Sequence, residues 1–290
     1  MKELPEGTSR IEAAIQRARK LHKESEAVWA AGANRVPTGA PATLSPSARD
    51  RQSLSMDMLP QVTMKPGVAR GNRVLGRLEG AHGGQSEYRM LRTRLMQRMR
   101  SNKWQILGVS AAGEGEGKTL TAINLAISIA AEVGQEALLL ELDLRRPGIH
   151  EILGISTPEF KSVSDYLQDE STGLRDLLFS PGIERLGCAL CSAPLDRASD
   201  LLASSRGQQL FRELRQQLLP ETIIVVDLPP LLSTDDALVV APMMDALLFV
   251  VAEGQTRRSD LAEANTLLQE FNVIGTVLNK SVETDPKKYY

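Results

Sequence analysis

From Trp104 onwards, apolar positions alternate between short aliphatic runs and stretches with helical spacing. Ile106 to Ser110, Glu136 to Leu142, Ile223 to Asp227, Ala246 to Val251 and Val273 to Leu278 read as buried strands. Lys118 to Val133 reads as a helix, with Ile123, Leu125, Ala126, Ile127 and Ile129 supplying apolar surface. Arg206 to Leu219 and Arg258 to Phe271 read as further helices. Such alternation predicts an α/β fold, a mainly parallel sheet with helices on both faces. No internal repeat is visible.

The first part of the chain is different. Ser9 to Ala31 has Ile11, Ala14, Ile15, Ala18 and Leu21 at helical spacing, with Arg17, Arg19, Lys20 and Lys23 on the other face. This predicts an amphipathic N-terminal helix over 1–31, docked either on a partner or on its own domain. Between Gly32 and Gly84 periodicity is lost, and Pro37, Pro41, Pro46, Pro60 and Pro66 recur among Ser, Gly and Thr. That composition predicts a flexible, disordered linker over 32–84. Gln85 to Arg100 is helical again, with Tyr88, Leu91, Leu95 and Met99 on one stripe. The expected division is therefore helix 1–31, linker 32–84, α/β domain 85–280 and a polar tail 281–290.

Charge sharpens that division. The 103 residues up to Lys103 carry 19 Lys+Arg against 9 Asp+Glu, and the remainder carries 15 against 27. A basic arm on an acidic domain fits docking on a membrane surface, on an acidic partner or on the domain itself; a solvated arm is the alternative. Two cysteines imply no disulfide framework, and Cys188 and Cys191 read as buried thiols rather than half of a zinc site. No apolar run follows Met1, and the longest one, Ala237 to Val251, is interrupted by Pro242 and Asp245. A cytoplasmic protein is expected. The arginines of 85–100 have almost no interleaved aromatics and the pI is about 6.0, so nucleic acid is not an expected partner.

The sharpest local signal is Ala112-Gly113-Glu114-Gly115-Glu116-Gly117-Lys118-Thr119-Leu120, after a strand and opening a helix. This is the context of a phosphate-binding loop. Gly113, Gly115 and Gly117 let backbone N–H groups approach phosphate oxygens, and the helix N-terminus adds positive potential. Lys118 is expected to bridge the β- and γ-phosphates of a nucleoside triphosphate, and the Thr119 hydroxyl to ligate Mg2+. Glu141 and Asp143 follow one aliphatic strand and Asp227 ends another, so all three acids are expected to converge on the loop. Asp143 and Asp227 would hold magnesium directly or through water, leaving Glu141 as a base towards an acceptor hydroxyl.

These residues resemble the bacterial tyrosine kinases of exopolysaccharide and capsule systems, within the MinD/ParA-like group of P-loop proteins. The resemblance runs from about Gln85 to the C-terminus. Gly117-Lys118-Thr119 looks like the Walker A motif, Glu141-Leu142-Asp143-Leu144-Arg145-Arg146-Pro147 like Walker A′, and Asp227-Leu228-Pro229-Pro230 like Walker B. Ala198 to Ser204 resembles the segment ending Leu-Leu-Ala-Ser, and Val277-Leu278-Asn279-Lys280 the segment that contacts the base. The resemblance implies an ATP- and Mg2+-dependent protein-tyrosine autokinase, with Tyr289 and Tyr290 as phosphoacceptors. It also implies a membrane chain-length or co-polymerase partner, a homo-oligomer, a cognate tyrosine phosphatase and a location peripheral to the inner face of the membrane. Three positions depart from the family pattern. Glu141 replaces an Asp, Ser86 replaces the Glu of a Glu-x-x-Arg-x-x-Arg motif completed by Arg89 and Arg92, and Gly113 stands where many MinD/ParA proteins have a lysine.

Overall fold

The computed structural model describes residues 54–75, 84–156 and 160–281. The predicted N-terminal helix, the rest of the predicted linker (32–53 and 76–83) and Tyr289 and Tyr290 lie outside the described residues.

The domain is one six-stranded sheet, all parallel, in the order β3-β2-β4-β1-β5-β6. Its strands are β1 (Ile106–Ala111), β2 (Ala137–Glu141), β3 (Leu186–Ala189), β4 (Ile223–Asp227), β5 (Ala246–Ala252) and β6 (Val273–Asn279). The central strands are almost continuously aliphatic because both faces are covered, as parallel sheets require. One face packs against α2 (Gln85–Asn102), α3 (Lys118–Ala130) and α4 (Ile149–Leu153). The other packs against α5 (Val163–Gln168), α6 (Leu174–Leu177), α7 (Ala198–Ala203), α8 (Ser205–Gln217), α9 (Asp236–Val240) and α10 (Arg258–Leu268).

Long periodic elements match the sequence expectation closely. β3 and the short helices α4, α5, α6, α7 and α9 have no counterpart in it. Each is four to six residues long, so the apolar period barely repeats. α5 starts at a capping box, Ser162 with Asp165, the local chemistry that stabilises so short a helix.

The described part of the predicted linker is not free. Residues 54–75, including α1 (Pro66–Gly71), form a strap round the β3 edge. Met56 and Leu59 pack in the core on one face, and Val62, Ala69 and Val74 in the core on the other. Ser180 N–H donates to the Pro60 carbonyl and Val62 N–H donates back to that of Ser180, at 2.8 and 2.9 Å. Covering an edge in this way also blocks edge-to-edge association. The apolar residues of the strap follow no fixed period because they bury themselves singly, wherever the strap crosses a groove.

Among the described residues no helix is long and apolar enough to cross a membrane. Cys188 and Cys191 are both buried free thiols, in the cores on opposite faces of the sheet.

Candidate nucleotide site

Strand order assembles the site. β1 lies beside β4 and β4 beside β2, so three carboxyl ends are adjacent. The register sets Asp227 level with both Val109 and Glu141. The loop after β1, the Walker B acid and the Walker A′ acids therefore share one end of the sheet, where ligands of open α/β folds bind.

Within the loop, Gly115 and Gly117 have φ of +72° and +95°, values that a Cβ would strain. Gly117 also receives Asn279 so closely that a Cβ there would lie 2.0 Å from its Nδ2. Lys118 then begins α3 (thirteen residues), which aims its N-terminus at the loop.

Lys118 is nearly buried. Its Nζ lies 2.6 Å from Asp143 Oδ2, 3.5 Å from Asp227 Oδ1 and 3.1 Å from Thr119 Oγ1. Burial opposes its charge, but Asp227 and Asp143 outweigh burial and hold the ammonium above the usual lysine value. Burial raises the Asp227 carboxyl in turn, against the pull of Lys118. Asp227 Oδ2 is buried with no hydrogen-bond partner among the described residues. A divalent cation fits here: Thr119, Asp143 and Asp227 supply hard oxygen donors, and an orphaned carboxylate oxygen is what such an ion would satisfy.

Glu141 is placed otherwise than the sequence implied. It has no exposed surface, and Oε1 accepts from Gly148 N and Ile149 N at 2.7 and 2.9 Å. Oε2 accepts from Cys191 N at 3.0 Å. Burial raises its pKa to about 7. A carboxylate tied to three backbone donors is a staple for the start of α4 and the exit of β3, and it corrects the expectation of a base facing the acceptor. Asp143, in contact with Lys118, is the Walker A′ acid turned to the loop.

Other expected nucleotide contacts are distributed unevenly. Gly113, Gly115 and Gly117 line the loop; Leu120 is half-buried on α3. Glu114 is exposed and paired with Arg146. Glu116 is buried, and both of its carboxylate oxygens are engaged by protein groups. Asn279 donates from Nδ2 to the Glu116 carbonyl at 2.9 Å, so its amide meets the loop itself. Arg145, outside the expected set, grips buried Asp236 with Nε and Nη2 at 2.5 and 3.2 Å, tying the Walker A′ loop to α9. Arg92, of the incomplete Glu-x-x-Arg-x-x-Arg pattern, turns inward: Nη1 donates to Ser128 O at 2.8 Å and Nε lies 3.4 Å from Glu132. No local motif signals such pairs, whose partners are tens of residues apart.

Sheet topology, glycine loop and converging Lys118, Asp143 and Asp227 define a nucleotide-binding P-loop protein. No protein-family model matches the sequence. A tyrosine-protein kinase, CpsD of Streptococcus pneumoniae, is 29% identical over 62% of this chain and 77% of its own length. The succinoglycan biosynthesis transport protein ExoP of Rhizobium meliloti is 29% identical over 67% of this chain and 24% of its own length. The crystal structure of the VpsO kinase domain matches with a TM-score of 0.59 and 26% identity, covering 68% of this chain and 96% of that one. In sequence and in fold, then, the chain is similar to bacterial tyrosine-protein kinases.

Proposed function

We propose that this chain is an ATP-dependent protein-tyrosine autokinase that regulates the polymerisation or export of an exopolysaccharide. The observation that carries the reading is Lys118 held between Asp143 and Asp227 at the mouth of a glycine loop. Phosphoryl transfer asks a protein mainly for positioning and charge neutralisation, and these groups supply both.

ATP is the substrate, bound by the backbone N–H groups of the loop from Gly113 to Leu120, and Lys118 neutralises charge developing on the transferred group. Thr119 and Asp227 would hold magnesium directly and Asp143 through water, and the ion supplies further neutralisation when bound. The hydroxyl oxygen of Tyr289 or Tyr290 bonds to the γ-phosphorus as the bond to the β-phosphate bridging oxygen breaks. ADP leaves, and Asp143 is the proton acceptor. Glu141 serves by fixing the loop on which Asp143 sits. The acceptor tyrosines come from another copy of the chain, and a membrane chain-length protein is the partner that brings the enzyme to the inner membrane face. A cognate phosphatase would reset the tail.

Incubation of purified protein with γ-labelled ATP and magnesium tests this. Label should appear on the protein and vanish in a Tyr289→Phe/Tyr290→Phe double variant. Free phosphate without labelled protein would instead mark an ATPase switch. Nucleotide binding with neither product, in the presence of the membrane partner, would mark a scaffold.

A further inference from the structure

A phosphate loop works only if its N–H groups point at the anion. Because peptides are planar and trans, the carbonyl of one residue and the N–H of the next point in opposite directions. Whatever holds the loop carbonyls outward therefore aims the following N–H groups inward.

Three successive carbonyls are held here. Gln255 Nε2 donates to Glu114 O at 3.0 Å, Lys280 Nζ to Gly115 O at 2.7 Å, and Asn279 Nδ2 to Glu116 O at 2.9 Å. Lys280 also donates to Gln255 Oε1 at 2.7 Å, joining two of these contacts. Beneath them, Glu116 (3% exposed) accepts from Ala112 N with Oε2 at 3.1 Å, and from the Thr256 hydroxyl with Oε1 at 2.8 Å. Thr256 Oγ1 is fixed in turn by Ala252 N–H at 2.9 Å. The donors come from the turn after β5 and the end of β6, far from the loop in sequence. A buried carboxylate beside an anion site is unfavourable for the anion, but here each of its oxygens is satisfied by a protein donor, so it works as a structural anchor.

We propose that Glu116, Gln255, Thr256, Asn279 and Lys280 are positioning residues: a bracket that holds the phosphate loop's carbonyls outward and presets the N–H groups of Gly115, Glu116 and Gly117 for the phosphates. Glu116 then shapes the loop rather than touching the nucleotide. The inference rests on nucleotide binding, not on phosphoryl transfer.

The test is titration of full-length protein with fluorescent ADP and magnesium, alongside thermal unfolding of each variant. Removing a partner of a buried donor carries a penalty that corresponds to about ten-fold weaker binding for Glu116→Ala. Thr256→Val should weaken binding by about three- to ten-fold, and the Glu116→Ala/Thr256→Val double variant no more than Glu116→Ala alone, because neighbours in one network are not additive. Glu116→Gln, which keeps an acceptor for Ala112 N–H, should stay within about three-fold of wild type. Wild-type affinity in Glu116→Ala, or losses that multiply in the double variant, would overturn the bracket. If Glu116→Ala does not fold, the exposed pair Gln255→Ala/Lys280→Ala decides: weaker binding at an unchanged melting temperature supports the bracket, unchanged affinity refutes it. A chain that binds ADP through this bracket yet transfers no phosphate would sink the kinase reading and leave the inference standing.

Discussion

Glu141 gives both carboxylate oxygens to the backbone, and two consequences follow at the scale of single residues. The first is chemical. As a staple, Glu141 acts only through the loop it holds, and Gln would keep the contacts of one oxygen, whereas Asp143 is the acid beside Lys118. Glu141→Gln should keep label transfer within about ten-fold of wild type, and Asp143→Asn should lose about a hundred-fold or more, the usual scale for a displaced catalytic acid or base. Equal losses would return Glu141 to the catalytic set. The second is thermodynamic. Its folded pKa, about 7, lies above its ordinary value of 4.5, so between these the folded state binds the extra proton. Stability from this group is present below pH 4.5 and declines as pH rises towards 7, by up to about 3 kcal/mol at 1.36 kcal/mol per unit. Urea denaturation at pH 5 and pH 7 should show this decline in wild type and a flatter profile in Glu141→Gln. The loop and its three acids were readable in the sequence because each motif is contiguous. The direction of Glu141 was not, because it depends on N–H groups at Gly148, Ile149 and Cys191 that only the fold brings near.

At the scale of elements, the strap and the short helices carry the tests. Met56 is 1% exposed and fills the space over Gly187, where a Cβ would meet its sulfur at 2.4 Å. Met56→Ala should cost about 2–5 kcal/mol in chemical denaturation, as for other buried large-to-small changes. A free linker would show no loss. Gly207, on the first turn of α8, is constrained by backbone: an added Cβ would lie 2.2 Å from the Leu202 carbonyl oxygen. Gly207→Ala should therefore destabilise by about 1–3 kcal/mol or more, since a carbonyl cannot move aside as a side-chain tip can. A melting temperature at or above wild type would show that α7 and α8 can part. The long helices α2, α3, α8 and α10 and five strands were legible because their periods repeat. β3 was not: Leu186-Gly187-Cys188-Ala189 is too short and too small to announce a strand, and it exists because β2 and the strap enclose it.

At the scale of the whole molecule, one parallel sheet brings β1, β4 and β2 side by side and so converts three separated motifs into one site. Parallel order, helices on both faces and a ligand at the carboxyl edge all follow from the alternation of aliphatic runs and amphipathic stretches. The path of residues 54–75 does not, for Pro and Gly mark a break in periodicity without saying whether the break lies free or packs. The proposed reaction moves the γ-phosphate of ATP from this site to Tyr289 or Tyr290. Phosphosite mapping by mass spectrometry after incubation with ATP and magnesium tests it most directly, comparing wild type with Lys118→Met. The prediction is phosphate on Tyr289 or Tyr290 in wild type and none in the variant; phosphate that persists without Lys118, or that falls only on other residues, would contradict it.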